Sequence, residues 1–82
     1  MITIFSKSYC PYCSAAKQFL DSIGKEYVEI DLEHDREKMS EIVSISRMMT
    51  VPQIFEGDII RENLIGGYDD MMRKYNAGEI FQ

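Results

Sequence analysis

Two cysteines, Cys10 and Cys13, are the only thiols in 82 residues, and they bracket Pro11 and Tyr12. Their spacing suits redox chemistry better than metal binding. A closed zinc site takes four ligands, usually Cys and His, and the chain has a single histidine, His34. In a reducing compartment, a lone C-x-x-C near the start of a β–α unit reads as a dithiol that closes to a disulfide and reopens. Helical periodicity begins at about Pro11, which puts Cys10 at the N-cap and proline at the first helical position, where its missing N–H costs nothing. The Cys10 sulfur then faces unpaired backbone N–H groups at the positive end of the helix dipole, and both favour thiolate over thiol. Lys7 adds a positive charge nearby if the loop curls back. Cys13, one turn further along the same face, is expected to be deeper and less exposed, as suits a thiol that expels a partner held on Cys10.

The elements that must position this pair follow from the apolar pattern. Ile2–Phe5 is a short β-branched run that reads as a buried strand. Ala15, Ala16, Phe19, Leu20 and Ile23 share one helical face, and Gly24 stands where a C′ glycine ends a helix. Val28, Ile30 and Leu32 alternate with Tyr27, Glu29 and Asp31 as in a half-exposed strand, its apolar set facing inward. His34–Asp35 opens a second helix carrying Met39, Ile42 and Val43. The run Val51–Phe55 reads as a strand with Pro52 among its first residues, followed by a turn at Glu56–Gly57–Asp58 and a short return strand at Ile59–Ile60. Gly66–Gly67 precedes a last amphipathic helix bearing Met71, Met72 and Tyr75, with Asp69 and Asp70 in its first turn. The order is β-α-β-α-β-β-α. The first two strands are expected to be parallel through a right-handed crossover and the last two antiparallel, giving a four-stranded mixed sheet with flanking helices.

Composition narrows the functional classes. Nine Lys and Arg against 14 Asp and Glu give a net charge of −5, without the basic stripe that a nucleic-acid binder needs to displace counterions. No apolar run approaches the ~20 residues of a membrane span. The first seven residues lack the charged start and long apolar stretch of a secretory signal. The expectation is one domain over residues 1–82, monomeric, cytoplasmic, and engaging neither nucleic acid nor membrane.

Three separated motifs make the chain resemble a glutaredoxin of the dithiol C-P-Y-C type over essentially its whole length. They are Lys7-x-x-Cys10–Pro11–Tyr12–Cys13, then Thr50–Val51–Pro52, then Gly66–Gly67-x-Asp69–Asp70. The resemblance implies an α/β thioredoxin fold and glutathione as co-substrate, with no tightly bound cofactor. It implies a cis Pro52 that aims the Val51 backbone at the cysteine of glutathione as one more strand rung. Lys7 would attract the glycine carboxylate. The helix start at Gly67–Tyr68–Asp69 would receive the γ-glutamyl end, with backbone N–H groups for its carboxylate and Asp69 for its ammonium. Pro11, Tyr12 and Thr50 complete the implied glutathione site.

The chain departs from the family's pattern at four places. Tyr68 stands where Cys, Ser or Thr is common, Met49 where a polar or basic residue usually precedes the threonine, and Arg47 where a glycine is usual. The segment from Phe55 to Ile65 is longer than usual and is read as an extended hairpin near the site. Arg47 and Lys38 are the basic residues available to supplement Lys7.

The activity implied is glutathione-dependent reduction of protein disulfides and glutathione mixed disulfides, with Cys10 as nucleophile and Cys13 as resolving thiol. The partners implied are glutathione and disulfide-containing or glutathionylated proteins. Two rival readings are a thioredoxin-like hydrogen donor reduced by a flavoprotein reductase, and a [2Fe–2S] carrier whose cluster bridges two subunits through Cys10 and glutathione.

Overall fold

The computed structural model describes all 82 residues. Four strands form one sheet: β1 (Ile2–Ser6), β2 (Tyr27–Asp31), β3 (Gln53–Glu56) and β4 (Leu64–Gly66). Three helices accompany it: α1 (Pro11–Ser22), α2 (Arg36–Ser46) and α3 (Tyr68–Asn76). The sheet order is β2-β1-β3-β4, with β1 parallel to β2 and antiparallel to β3, and β3 antiparallel to β4. This is the mixed thioredoxin-like arrangement, in the chain order expected.

Every residue of β1 is buried, because the strand is flanked in the sheet and covered on both faces. Its Ile2 and Ile4 pack with Ala16 and Leu20 of α1, Ile54 of β3, Ile65 of β4 and Met71 of α3. Phe5 lies on the opposite face with Leu32, Ile42 of α2 and Phe55, its ring meeting that of Phe55 edge-on at 5.7 Å. Two thin cores thus share one sheet. Fully burying a side chain such as Leu20 contributes about 1.5–3 kcal/mol. No helix is long and apolar enough to cross a membrane.

Helix ends follow the local chemistry of the sequence. Asp35 caps α2, its carboxylate accepting the Lys38 N–H at 2.9 Å. Gly24 takes φ +72 just past α1, the left-handed geometry a C′ residue needs. At the end of α2 the same geometry falls on Arg47, at φ +62. The residue occupying the family's glycine position therefore bears a steric cost that glycine would avoid.

Three expectations need correction. The return strand is Leu64–Gly66 rather than Ile59–Ile60. Asp58 O accepts from Ile60 N at 2.9 Å and Ile60 O from Asn63 N at 3.0 Å, so the chain turns through a short 3-10 segment, Arg61–Asn63, before it pairs. Ile59 packs against the Phe5–Phe55 cluster while Ile65 enters the other core, and that apolar burial selects the later register. Second, Val28 is exposed at 45% although it alternates with Ile30. β2 is an edge strand, and the apolar cluster on that face takes in Ile30 and Leu32 but not Val28. The long Phe55–Ile65 connection also lies away from the cysteines: Glu62 and Asn63 line a separate depression with Lys74 and Glu79.

Replacing Arg47 with glycine is expected to raise stability by about 0.5–1 kcal/mol in urea denaturation, because it removes the left-handed penalty. An unchanged or lower midpoint would mean that the Arg47 side chain supplies a compensating interaction.

Candidate active site

The chain leaves β1 at Ser6 and turns through Tyr9, which takes φ +59 and is fully exposed, before entering α1. Cys10 is the N-cap of α1 with extended backbone, and Pro11 is its first residue. The Cys10 sulfur accepts the Cys13 N–H at 3.2 Å, so the cysteine performs the capping role usually filled by Ser or Asp. Cys10 is partly exposed, whereas Cys13 is 2% exposed. Burial, reinforced by a hydrogen bond with the Cys10 sulfur, pushes the Cys13 thiol up to about 12, with the Lys7 backbone and Lys17 opposing the rise. The pair therefore consists of one accessible sulfur at a helix terminus and one sheltered thiol behind it.

The loop between α2 and β3 meets this helix start, with the Cys10 sulfur 3.8 Å from the Val51 carbonyl oxygen. The Val51–Pro52 peptide is cis. Two buried polar side chains shape the loop. Gln53, fully buried, donates its amide to Met48 O at 2.8 Å and Thr50 O at 3.0 Å, while Ser46 Oγ accepts the Met48 N–H at 3.0 Å.

Beside that contact runs a groove of about 250 Å³, lined by Tyr12, Thr50, Val51, Pro52, Tyr68 and Asp69 together with Met48, Gly67 and Asp70. The Tyr12 and Tyr68 rings stand 6.0 Å apart and tilted at 38°, so the aromatic departure at Tyr68 is paired with the aromatic residue of the cysteine motif. The far wall is the start of α3, where Asp70 Oδ2 accepts the Gly67 N–H at 3.0 Å. That bond, helped by Arg73, holds the Asp70 carboxyl below the usual aspartate range. Gly66 has φ +122, and a Cβ there would lie 2.5 Å from Asp70 Oδ2, so glycine is what allows this close approach.

Of the residues singled out in the sequence, Tyr12, Thr50, Val51, Pro52, Gly67, Tyr68 and Asp69 converge on the groove, and Cys10 joins it through Val51. Pro11 is exposed on the first turn of α1 and does not line it. Lys7 does not line it either and forms no ion pair within the chain; its backbone bears on Cys13 instead. Lys38 is paired with Glu41 at 3.6 Å, and Arg47 is exposed. Met48 and Asp70 also line the groove, Asp70 as the last residue of the third motif but without an assigned role in the sequence reading. Asp70 had a signal, an acid three residues past a helix N-cap, where its carboxylate reaches the cap N–H; Met48 had none. No three or more His, Cys, Asp and Glu side chains converge as a metal-holding group. The largest depression, about 740 Å³ and wide open, is lined by Met1, Asp21, Gly24, Lys25, Glu26, Tyr27 and Glu29, and neither cysteine reaches it.

Comparison with known proteins places relatives around this geometry. The Glutaredoxin family profile matches residues 2–60. The chain is 37% identical over 82 residues to a glutaredoxin of Ricinus communis, covering 96% of this chain and 76% of that protein. It is 39% identical over 70 residues to glutaredoxin 3 of Escherichia coli (strain K12), covering 85% and 80% respectively. The crystal structure of a buckwheat glutaredoxin–glutathione complex matches with a TM-score of 0.81 at 32% identity, covering 96% of this chain and 71% of that one.

The Asp70–Gly67 bond sets the wall of the groove and is open to test by pH. Because the folded carboxyl is held below its unfolded value, its stabilisation is complete above the unfolded aspartate pKa and is lost as pH falls through the lower, folded one. Asp70→Asn is expected to cost about 0.5–1 kcal/mol at neutral pH, the low end for a capping bond because the side chain is partly exposed. The gap between variant and wild type in thermal melts should close on acidification below about pH 4. A gap that persists unchanged at low pH would remove the carboxylate charge from the explanation.

Proposed function

The chain belongs to the glutaredoxin family, and from that premise we propose that it is a glutathione-dependent thiol–disulfide oxidoreductase in which Cys10 is the nucleophile and Cys13 the resolving thiol. The observation that carries this reading is the asymmetry of the pair. The Cys10 sulfur is reachable, receives a backbone N–H at the start of α1, and lies 3.8 Å from Val51 at the edge of the groove. Cys13 is sealed behind it, 2% exposed, and burial pushes its thiol up to about 12, which disfavours its thiolate at neutral pH. Such a thiol does not compete for the first attack.

In the monothiol route, the Cys10 thiolate attacks the glutathione sulfur of a mixed disulfide, and the substrate leaves as a thiolate that takes a proton from water. A second glutathione thiolate then attacks that same glutathione sulfur, giving oxidised glutathione and restoring the Cys10 thiolate. With a protein disulfide, Cys10 first forms a mixed disulfide with the substrate. The Cys13 thiolate then attacks the Cys10 sulfur, and the Cys10–substrate bond breaks with its electron pair on the departing substrate thiolate. The resulting Cys10–Cys13 disulfide is reduced by two glutathiones, which leave as oxidised glutathione.

The groove suits an extended anionic tripeptide. The Val51 backbone would offer a strand-like rung to the cysteine of glutathione, and the N–H groups at the start of α3, which lines the groove, would receive the γ-glutamyl carboxylate, with Asp69 available to the ammonium. The buckwheat glutaredoxin, similar in fold and sequence, crystallised in complex with glutathione, which supports the same ligand here. Lys7, free of any internal ion pair, is the cation assigned to the glycine carboxylate. Thr50 borders the ligand path, Pro11 keeps the Cys10 end of α1 in place, and the Tyr12–Tyr68 pair narrows the γ-glutamyl side where the family usually has a small residue.

The test is turnover of a glutathione mixed disulfide with glutathione and glutathione reductase supplied. Cys10→Ser is expected to fall to background, while Cys13→Ser keeps activity of the same order as the wild type. Equal loss in both variants would overturn the roles, and an inactive wild type would overturn glutathione as the reductant.

A further inference from the structure

Ser6, Glu29 and Lys17 form a polar network that the reaction described above leaves unused. Glu29 Oε2 accepts from Ser6 Oγ at 2.7 Å and from Lys17 Nζ at 2.9 Å. Its position is specific. Ser6 continues the row Ile2, Ile4 on the β1 face that packs on α1, and it is 1% exposed. Lys17 lies one turn beyond Cys13 on α1, where residues four apart are neighbours. The network therefore stands between β1, β2 and the turn of α1 that carries the buried cysteine.

That cysteine has an electrostatic difficulty. Thiolate is the attacking species in exchange, yet a sulfur 2% exposed loses most of the hydration that stabilises its charge. The groups facing it are few: the Cys10 sulfur from the helix start, the Lys7 backbone from the β1–α1 loop, and Lys17. Around Lys17 stand Glu29 and Tyr27 of β2, with Asp21 beside Tyr27 and Asp31 near Glu29. Once Cys10 is tied up in a mixed disulfide it no longer bears a competing charge, which leaves Lys17, one turn along the same helix, as a cationic side chain placed to act on the Cys13 sulfur. Glu29 is held below the ordinary carboxylate range, first by the Ser6 hydroxyl and then by Lys17, which makes it a poor proton acceptor at neutral pH. Its effect is to offset the lysine charge.

We propose that the Ser6–Glu29–Lys17 network sets the reactivity of the resolving sulfur: Lys17 favours the thiolate of Cys13, and Glu29, anchored by Ser6, partly cancels that assistance. This rests on the reading of Cys13 as the resolving thiol. Lys17 is a positioning residue of electrostatic kind for the second exchange step and takes no part in the first.

The experiment uses 5,5′-dithiobis(2-nitrobenzoate), one equivalent, mixed rapidly with the fully reduced protein. Cys10 thiolate attacks one sulfur of the reagent and releases one coloured thionitrobenzoate anion. Cys13 then gives its proton to water, its thiolate forms the Cys10–Cys13 bond, and the mixed disulfide breaks with its electron pair on the second thionitrobenzoate. The ratio of second-phase to first-phase rate isolates the resolving step without glutathione. At pH 7, Lys17→Gln is expected to lower this ratio by about 3–10-fold and to displace the second-phase pH profile upward, the size reduced by partial exposure of the pair. Glu29→Gln should raise the ratio by about 2–5-fold, and Lys17→Arg should restore it. Opposite signs are the signature, since a merely structural brace would weaken the site in the same direction from either end. Equal effects from Lys17→Gln and Glu29→Gln, or no effect from either, would overturn the inference. A wild type with a normal first phase and no second would overturn both the inference and the resolving role. The expected responses in a protein that fails to turn over glutathione mixed disulfides would sustain the inference while removing glutathione.

Discussion

The bond from the Cys13 N–H to the Cys10 sulfur, 3.2 Å long, organises the chemistry of this small protein. It forms because the chain enters α1 at Cys10 with extended backbone and proline at the next position, leaving the first-turn amides without helical partners. One interaction caps the helix, orients the accessible sulfur, and seats the second cysteine one turn deeper. Moving the helix start by a single residue would aim the amides elsewhere and rotate Cys13 off its face. The asymmetry between the two thiols is thus a consequence of where one helix begins.

The sheet supplies the remainder of the site. β1 runs fully buried beside β3, so the end of β1 and the loop that precedes β3 emerge side by side. Cys10 follows the first and Val51 belongs to the second, and this pairing accounts for their 3.8 Å approach. Gln53 and Ser46 hold the loop through backbone groups that have no strand partner, which is how an irregular segment keeps a defined wall. The β3–β4 hairpin then delivers Gly67 and α3 to the opposite side, where Gly66 lets Asp70 close on the backbone. The β1–α1, α2–β3 and β4–α3 loops meet over one edge of a thin core, and the groove is the space between them.

Function on this reading divides between surface and interior. The groove and its Tyr12–Tyr68 pair govern what reaches Cys10. The Ser6–Glu29–Lys17 network lies between β1, β2 and α1, outside the groove, and is proposed to act on Cys13. Substrate choice and the balance between one-cysteine and two-cysteine chemistry are therefore separable in the same fold, because the two sulfurs sit in different environments.

Local features were legible in the sequence because local forces determine them. The N-cap at Cys10, the cap at Asp35, the turn past α1 at Gly24 and the order of elements each follow from a few neighbouring residues. The three motifs also identified most of the groove, since Tyr12, Val51, Pro52 and Tyr68 do meet. Where burial arises from partners distant in sequence, the reading failed. Val28 alternates correctly yet faces solvent on an edge strand, and the return strand forms at Leu64–Gly66 because Ile65, not Ile60, finds the core. Lys7 does not line the groove, and its backbone bears on Cys13. The sequence by itself determined the dithiol pair, its place at a helix start and the expected strand order, all set by spacing and capping. Tertiary structure alone decided how deeply Cys13 is buried, that Lys17 meets Glu29 beside it, and that the start of α3 faces Val51 across the groove, because each depends on surfaces brought together only when the sheet assembles.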